Sequence, residues 1–369
     1  MTLYIDIHVL QTVPPSNINR DDTGSPKTAV YGGVRRARVS SQAWKRATRR
    51  DFNSHLDANE LGVRTKHAVK LLTERIMALA PDLETEVATT RAIAALEAAK
   101  LKVKAGRKPK EGDQPLTEYL MFFSNIQLDR LAALAATSED GKVGAKEAKE
   151  ALDQAHSVDV SLFGRMVAND AELNVDAACQ VAHALSTHAV ATEFDYYTAV
   201  DDENADEDTG AGMIGTIEFD SATLYRYATI NVQTLRENLG DDAATARAAE
   251  AFVRSFATSM PTGKQNTFAN RTAPDAVVVL ARPDRPVNLV GAFEEAVRPE
   301  DGYVTSSCEA LASYAFAVDS AFGDLPSHSW VTRVGARTEA LDRFGESIRF
   351  DDLVAEVGKR VLAEVSEES

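Results

Sequence analysis

The sequence predicts an α+β fold: a ferredoxin-like βαββαβ core interrupted by a large helical insertion and by an extended β-hairpin. Three observations lead there: an alternating apolar strand at the N-terminus, a long alanine-rich helical stretch, and two short strands flanking an acidic turn. Leu3, Ile5, Ile7 and Val9 alternate with Tyr4, Asp6, His8 and Leu10, the period of two that marks a strand. A loop rich in Pro, Asn, Asp and Gly follows from Val13 to about Gly33, with Gly32-Gly33 read as a backbone turn or close-approach site, and a second short strand over Val34 to Val39. Ser40 or Ser41 can cap the first helix, expected to run to about Leu56. From Arg64 to about His188 the pattern reads as an all-helical insertion rich in small residues, broken by polar turns at Lys104 to Pro115 and Ser138 to Gly144.

Phe194 to Val200 and Met213 to Phe219 then read as strands on either side of Asp201 to Gly212, a tip carrying six acidic residues. Tyr225 to Val232 is another strand, Ala243 to Met260 a helix, Ala276 to Leu280 a short buried strand, and an amphipathic helix starts near Asp351. Without the insertion and hairpin the order is strand, helix, strand, strand, helix, strand, which RNA-recognition (RRM) domains share. Tyr225-Arg226-Tyr227-Ala228 does not match the aromatic sheet motif of those domains, so an RRM-like core here would bind RNA through another surface. The expected division is 1–59 with 190–369 as the core, carrying the hairpin at about 194–225, and 60–189 as the insertion.

No run of about 18 apolar residues is present, which excludes a transmembrane helix, and Leu3 to Leu10 lacks the features of a signal peptide. A cytoplasmic location is expected. Cys179 and Cys308 are too few and too far apart for a zinc site or disulfide framework, and are expected to be buried thiols. The net charge of −16 argues against a polyanion partner on average. Locally it does not: between Arg20 and Arg50 nine Lys/Arg face only Asp21 and Asp22. On a helix from Ser41, Gln42, Lys45, Arg46 and Arg49 share one arc of about 100°, while Trp44, Thr48 and Phe52 fall elsewhere and can pack inward. Free amides at Ser40 and Ser41 would add a phosphate-binding helix start. Cations plus amides suit a sugar-phosphate backbone rather than base edges. Taken alone, such a helix is more often a solvated basic face.

The run Asn19-Arg20-Asp21-Asp22, Gly32-Gly33, Arg35-Arg36, Arg38, Ser40-Ser41-Gln42, Lys45-Arg46-Ala47 and Arg49 closely resembles the N-terminus of the CasC family, the backbone subunit of the type I-E CRISPR Cascade complex. The resemblance continues through Val158-Asp159, Gly164-Arg165-Met166, Ala182-His183-Ala184, Thr187-His188 and Thr198 to Asp202. It goes on through Gly215-Thr216, Glu218-Phe219, Tyr225 to Ala228, Ile230-Asn231, Glu237 to Gly240, Gly263-Lys264-Gln265 and Ala292 to Glu294, spanning most of the chain in order. It implies a modified RRM-like palm, helical fingers and a hairpin thumb. It further implies a non-catalytic subunit that polymerises along CRISPR RNA in antiviral defence. Implied partners are the target DNA strand in the guide heteroduplex, further copies of the chain, and the large, small, guide-capping and guide-processing subunits. By the same resemblance Arg20, Lys27, Ser40, Gln42, Lys45 and Arg49 hold the RNA backbone, with Arg38 and Arg46 beside them in the basic segment. Met166 and Tyr197 flank a kink in the guide, and the loop of Lys264 and Gln265 approaches the RNA. Taken alone, Met166 or Tyr197 is more often a core residue.

An enzyme reading is weaker. His183 and His188 are five apart, not the four of a helical zinc pair, and no P-loop, nucleophile elbow or dinucleotide fingerprint occurs. Asp21-Asp22 and Asp201-Asp202 could place carboxylates around magnesium in a metal-dependent endoribonuclease, though such pairs also suit turns. No catalytic residue, metal or cofactor is expected.

Overall fold

The computed structural model describes residues 2–106, 113–138, 141–167, 170–198, 214–298, 301–323 and 325–367. The chain forms two compact units. One comprises Met1–Asp51, Gln180–Ile230 and Phe252–Arg360; the other comprises Phe52–Cys179, Asn231–Ala251 and Val361–Ser369.

The first unit is organised by a large sheet. Its strands are β1 (Leu3–Ser16), β2 (Thr28–Tyr31), β3 (Val34–Val39) and, after the second unit's segment, β8 (Cys179–Val181), β9 (Ala184–Ser186), β10 (Glu193–Thr198), β11 (Ile214–Asn231), β12 (Ala276–Pro283) and β13 (His328–Arg333). The order is β13-β12-β1-β11-β9-β3-β2, with β10 and β8 also paired to β11. The N-terminal strand extends beyond the alternating stretch, because Leu10 to Ser16 stay paired or buried after the clean alternation ends. β12 is buried on both faces along AVVVLAR, and runs antiparallel to both β1 and β13.

Alternation along β11 gives the sheet two different faces. Tyr225 and Tyr227 join Leu10, Val278 and Leu280 against a helix whose buried side chains Val304, Cys308, Leu311, Ala312 and Ala315 form a helical stripe. Leu224 lies on the opposite face with Val13, Val39, Met260 and Trp44. The tyrosine face carries a buried polar network. Tyr227 donates to Asp6 Oδ1 (2.9 Å), the Val287 amide donates to Asp6 Oδ2 (2.8 Å), and His8 Nδ1 pairs with the Tyr225 hydroxyl (2.8 Å). Arg282 stands 3.5 Å from Asp6 and donates to Asp319 at 2.9 Å.

The second unit begins just after α1 (Ser41–Asp51), where a short 3-10 turn, Phe52–Ser54, ends the helix earlier than the sequence pattern suggests. The tight turn buries Phe52 against Phe163, their centroids 6.1 Å apart. Four helices follow, α2 (Ala68–Leu79), α3 (Thr85–Ala98), α4 (Asn125–Thr137) and α5 (Ala145–Asp153), meeting through Ala88, Ala92, Ala95, Ala132 and Ala148. The small side chains let these axes pack closely. This insertion is not all-helical, however. β4 (Gly62–Thr65) pairs antiparallel with β7 (Met121–Ser124), and β5 (Val103–Lys104) pairs with β6 (Leu116–Thr117). Met121-Phe122-Phe123-Ser124 is buried throughout, so it shows no alternation by which a strand could be told from buried helix. Both cysteines are buried and outside any disulfide, as the sequence suggests.

Burial raises the Asp6 carboxyl to about 6, against the lowering effects of its hydrogen bonds and Arg282. Burial, helped by Arg282, lowers His8 to about 3. Between pH 4 and 6 the folded Asp6 holds a proton that the unfolded chain has released, so this group alone makes stability rise as pH falls. His8 acts oppositely, because the unfolded imidazole takes up a proton that the folded one refuses. Asp6→Asn, measured by urea melts across pH 6 to 4, should therefore lose stability relative to wild type by about 1.4 kcal/mol per pH unit on acidification.

Candidate nucleic-acid interface

The basic segment enters the first unit through β2 and β3, joined at Gly32 (φ +59°) and Gly33 (φ +76°). Positive φ at both central residues is the geometry of a type I′ hairpin. A Cβ on Gly32 would also lie 1.6 Å from the Glu294 carbonyl oxygen, so the turn is a close approach as well. Arg36 is buried behind it. Its guanidinium donates to the carbonyls of Tyr31, Ser186 and Phe293 (3.2, 3.0 and 2.8 Å), a structural role rather than a surface one.

The chain then enters α1, at whose start three amides are already taken by protein groups. Ser40 Oγ accepts from the Ala43 amide (3.3 Å), Asn19 Oδ1 accepts from the Ser40 amide (2.8 Å), and His183 Nδ1 accepts from the Ser41 amide (3.1 Å). The Ser40 and Ser41 amides are thus not free for phosphate, contrary to the sequence-based expectation, because side chains distant in sequence fill that place. The His183 imidazole is held below its usual value by partial burial, then by Arg38 and Lys27. Neutral with Nδ1 accepting, it carries its proton on Nε2.

Along α1, Trp44 and Thr48 are buried, as the helical period requires, and Gln42, Arg46 and Arg50 form the exposed stripe. These side chains make one wall of an open groove of about 820 Å³. The loop Arg20 to Gly24 makes a second wall, and Met260 to Lys264 a third. Arg20, Ser40, Gln42, Arg46 and Lys264 all line it, so five of the residues singled out in the sequence come together from three separate segments. Asp21 also lines it, with Oδ1 accepting from Thr23 N–H (2.9 Å), Thr23 Oγ1–H (2.7 Å) and Ser25 N–H (3.0 Å), the pattern of a turn-forming carboxylate.

Lys27 and Arg38 lie next door, in a small cavity shared with Asn19, Ser16 and Asp220. Burial raises the Asp220 carboxyl to about 6. Lys45 and Arg49 are half-buried and do not line the groove; Arg50, which does, is absent from the sequence-based set. Its signal is there to be read, since Gln42, Arg46 and Arg50 recur at i, i+4 and i+8. The roles of Asn19 and His183 leave no such trace, because they depend on loops brought to the helix start by the fold.

Lys264 takes the left-handed conformation (φ +51°) at the start of the one-turn helix Gln265–Phe268, where Gln265 is exposed but outside the groove lining. Gly263 beside it is packed directly on β1's continuation. A Cβ there would sit 2.3 Å from the Ile18 carbonyl oxygen. In the hairpin stem, β10 pairs with β11 from Glu193↔Phe219 to Thr198↔Ile214, and the ring of Tyr197 lies over Gly215. Tyr197 is exposed, as are Phe194 and Tyr196. The acidic tip, with Asp201 and Asp202, lies outside the described residues. Met166, in the second unit, is 83% exposed and is no core residue. The turn presenting it is held by buried Arg165, which donates to Leu173 O, Leu152 O and Gln127 Oε1 (2.7, 2.9 and 3.1 Å).

The fold and groove together define a mixed α/β protein with one large, mainly antiparallel sheet and a cationic cleft walled by α1. Residues 5–356 match the CT1975-like protein family, and the chain belongs to that family. A chain of a solved structure described as a CRISPR RNA-guided surveillance complex, pre-nicking, is 34% identical, with a TM-score of 0.84 over 97% of this chain and 100% of its own. A chain of a second CRISPR RNA-guided surveillance complex is 31% identical, with a TM-score of 0.74 over 97% of this chain and 99% of its own. No curated protein matches.

Gly263→Ala should push the third wall away from β1. Thermal melts should show a loss of about 1–3 kcal/mol, the usual cost of overpacking, and polyanion binding should weaken while the far edge of the sheet, around Trp330 on β13, stays native.

Proposed function

We propose that the chain is a CRISPR RNA-binding backbone subunit of a type I-E Cascade complex, acting in antiviral defence in the cytoplasm. Copies polymerise along the guide and present it for pairing with the target DNA strand, alongside the large, small, guide-capping and guide-processing subunits. The observation that carries this reading is the groove. Arg20, Arg46, Arg50 and Lys264 converge there from three segments of an otherwise acidic chain, outnumbering Asp21 and Asp22, with Ser40 and Gln42 as neutral polar partners. Such a set can neutralise a sugar-phosphate backbone while leaving sequence to base pairing, the division of labour in RNA-guided recognition. Similarity along the full length to chains of two CRISPR RNA-guided surveillance complexes supports it.

In this reading the large-sheet unit is the modified RRM-like palm, its β10–β11 hairpin is the thumb, and the helical unit forms the fingers. Exposed Tyr197 and Met166 are apolar wedges available to a kinked guide, where they can replace lost base stacking. The role is non-catalytic; the competing endoribonuclease reading rests on carboxylate pairs of which Asp21 is committed to its own turn.

The test is binding of guide RNA and of unrelated single-stranded RNA over a salt series. Arg46→Ala and Lys264→Ala should each weaken both RNAs alike and lower the salt slope by about 0.7 for each phosphate left without its cation. RNA of uniform length should copurify with the wild type and remain intact with magnesium. Unchanged affinity and slope in both variants would sink the RNA reading, and magnesium-dependent cleavage abolished by Asp21→Ala would establish the nuclease instead.

A further inference from the structure

Two walls of the groove meet at one buried side chain that never reaches it. Arg226, on β11, is 1% exposed. Its guanidinium carbon lies 3.7 Å from the ring centroid of Trp44 and 4.7 Å from that of Phe256. Nη1 donates to Gln11 Oε1 (2.6 Å) and the Ala257 carbonyl (3.3 Å), and Nη2 donates to the Phe256 carbonyl. Trp44 is the buried anchor of α1, which presents Gln42, Arg46 and Arg50 to the groove. Its indole Nε1 has no hydrogen-bond partner among the described residues, so stacking on Arg226 is its main polar interaction. Phe256 and Ala257 end the helix Asp242–Thr258, directly before the wall Met260 to Lys264. Gln11 relays to the same wall, its amide nitrogen donating to Met260 Sδ (3.2 Å) and to the Thr272 carbonyl (2.9 Å).

We propose that Arg226 is a positioning residue for RNA binding: it fixes α1 against the Met260–Lys264 wall, so that Arg46, Arg50 and Lys264 address one phosphate backbone together. This rests on the RNA reading of the groove. The side-chain chemistry matches the role. A planar guanidinium can stack between two aromatic rings while its edges donate to carbonyls, whereas lysine supplies charge without plane or fork, and methionine fills space without donating. The carbonyls it grips are at a helix C-terminus, where the dipole's negative end favours a cation. Burial lowers its pKa only to about 9, so it stays charged at neutral pH.

The experiment compares Arg226→Lys and Arg226→Met with wild type and with Arg46→Ala, using a generic single-stranded RNA over a salt series and correcting each protein for its folded, binding-competent fraction. The chain has two tryptophans, Trp44 and Trp330, so a Trp330→Phe background makes Trp44 emission report the stack. Expected are affinity losses of about tenfold in both Arg226 variants, the scale of one charge-assisted hydrogen bond, with the salt slope unchanged and Trp44 emission altered. Arg46→Ala should instead lower the slope. A reduced slope in Arg226→Met would make Arg226 a phosphate ligand and overturn the proposal. Unchanged affinity of the folded fraction would leave it a merely structural residue and overturn the proposal equally. If both variants fail to fold, Gln11→Leu cuts the relay to Met260: weaker binding at constant slope supports the inference, and unaltered binding refutes it. If Arg46→Ala and Lys264→Ala bind like wild type, the RNA reading fails on its own account, whatever Arg226 does.

Discussion

A guanidinium removed from water at the middle of the sheet organises the first unit. Arg226 has no carboxylate among its hydrogen-bond partners in the described residues; its charge is met by two helix-end carbonyls, a glutamine and two aromatic faces. An ion left uncompensated there would cost several kcal/mol, so the partners have to be held in place. Holding them fixes the relation of β1, β11, α1 and the end of the Asp242–Thr258 helix at once. Arg36 and Arg165 repeat the solution, each donating to backbone carbonyls in its own unit. On the opposite face of β11 the same alternation produces a different answer, in which Asp6 and His8 are buried among tyrosines and are both pushed towards their neutral forms.

The acidic total and the cationic groove are compatible because range matters. At physiological ionic strength charges more than about 8 Å apart are largely screened, so a bound phosphate responds to Arg20, Arg46, Arg50 and Lys264 and only weakly to distant carboxylates. Asp21 and Asp22 line the groove themselves, and Asp220 is a part-buried carboxyl in the small adjoining cavity that holds Lys27 and Arg38. Its raised pKa shows that its surroundings disfavour a negative charge there, and a phosphate nearby would disfavour it further.

What could be read in advance followed the strength of periodic signals. β1 and the buried side of α1 were legible because Leu3 to Val9 alternates and Trp44 and Thr48 sit one helical turn apart. The strand at Met121–Ser124 is not, being short and buried on every side, and His328–Arg333 does not stand out from its mixed surroundings. At the groove, Arg20, Ser40, Gln42, Arg46 and Lys264 were named from the basic segment and the family resemblance, and the structure brings them together. The meeting of Gly263 with Ile18, and of Arg226 with Trp44, joins residues far apart in the chain that obey no local pattern. Pairings of that kind belong to the tertiary fold, and a single sequence does not display them.

The satisfied start of α1 has a consequence for how the protein lives without a ligand. A helix whose first amides waited for phosphate would carry unpaired donors until one arrived, a penalty of about 1 kcal/mol or more for each buried group. Here Asn19, Ser40 and His183 already occupy three of them. These amides of the groove wall are therefore paired within the protein itself. Folding and ligand binding become separable events, because these amides do not wait on a phosphate.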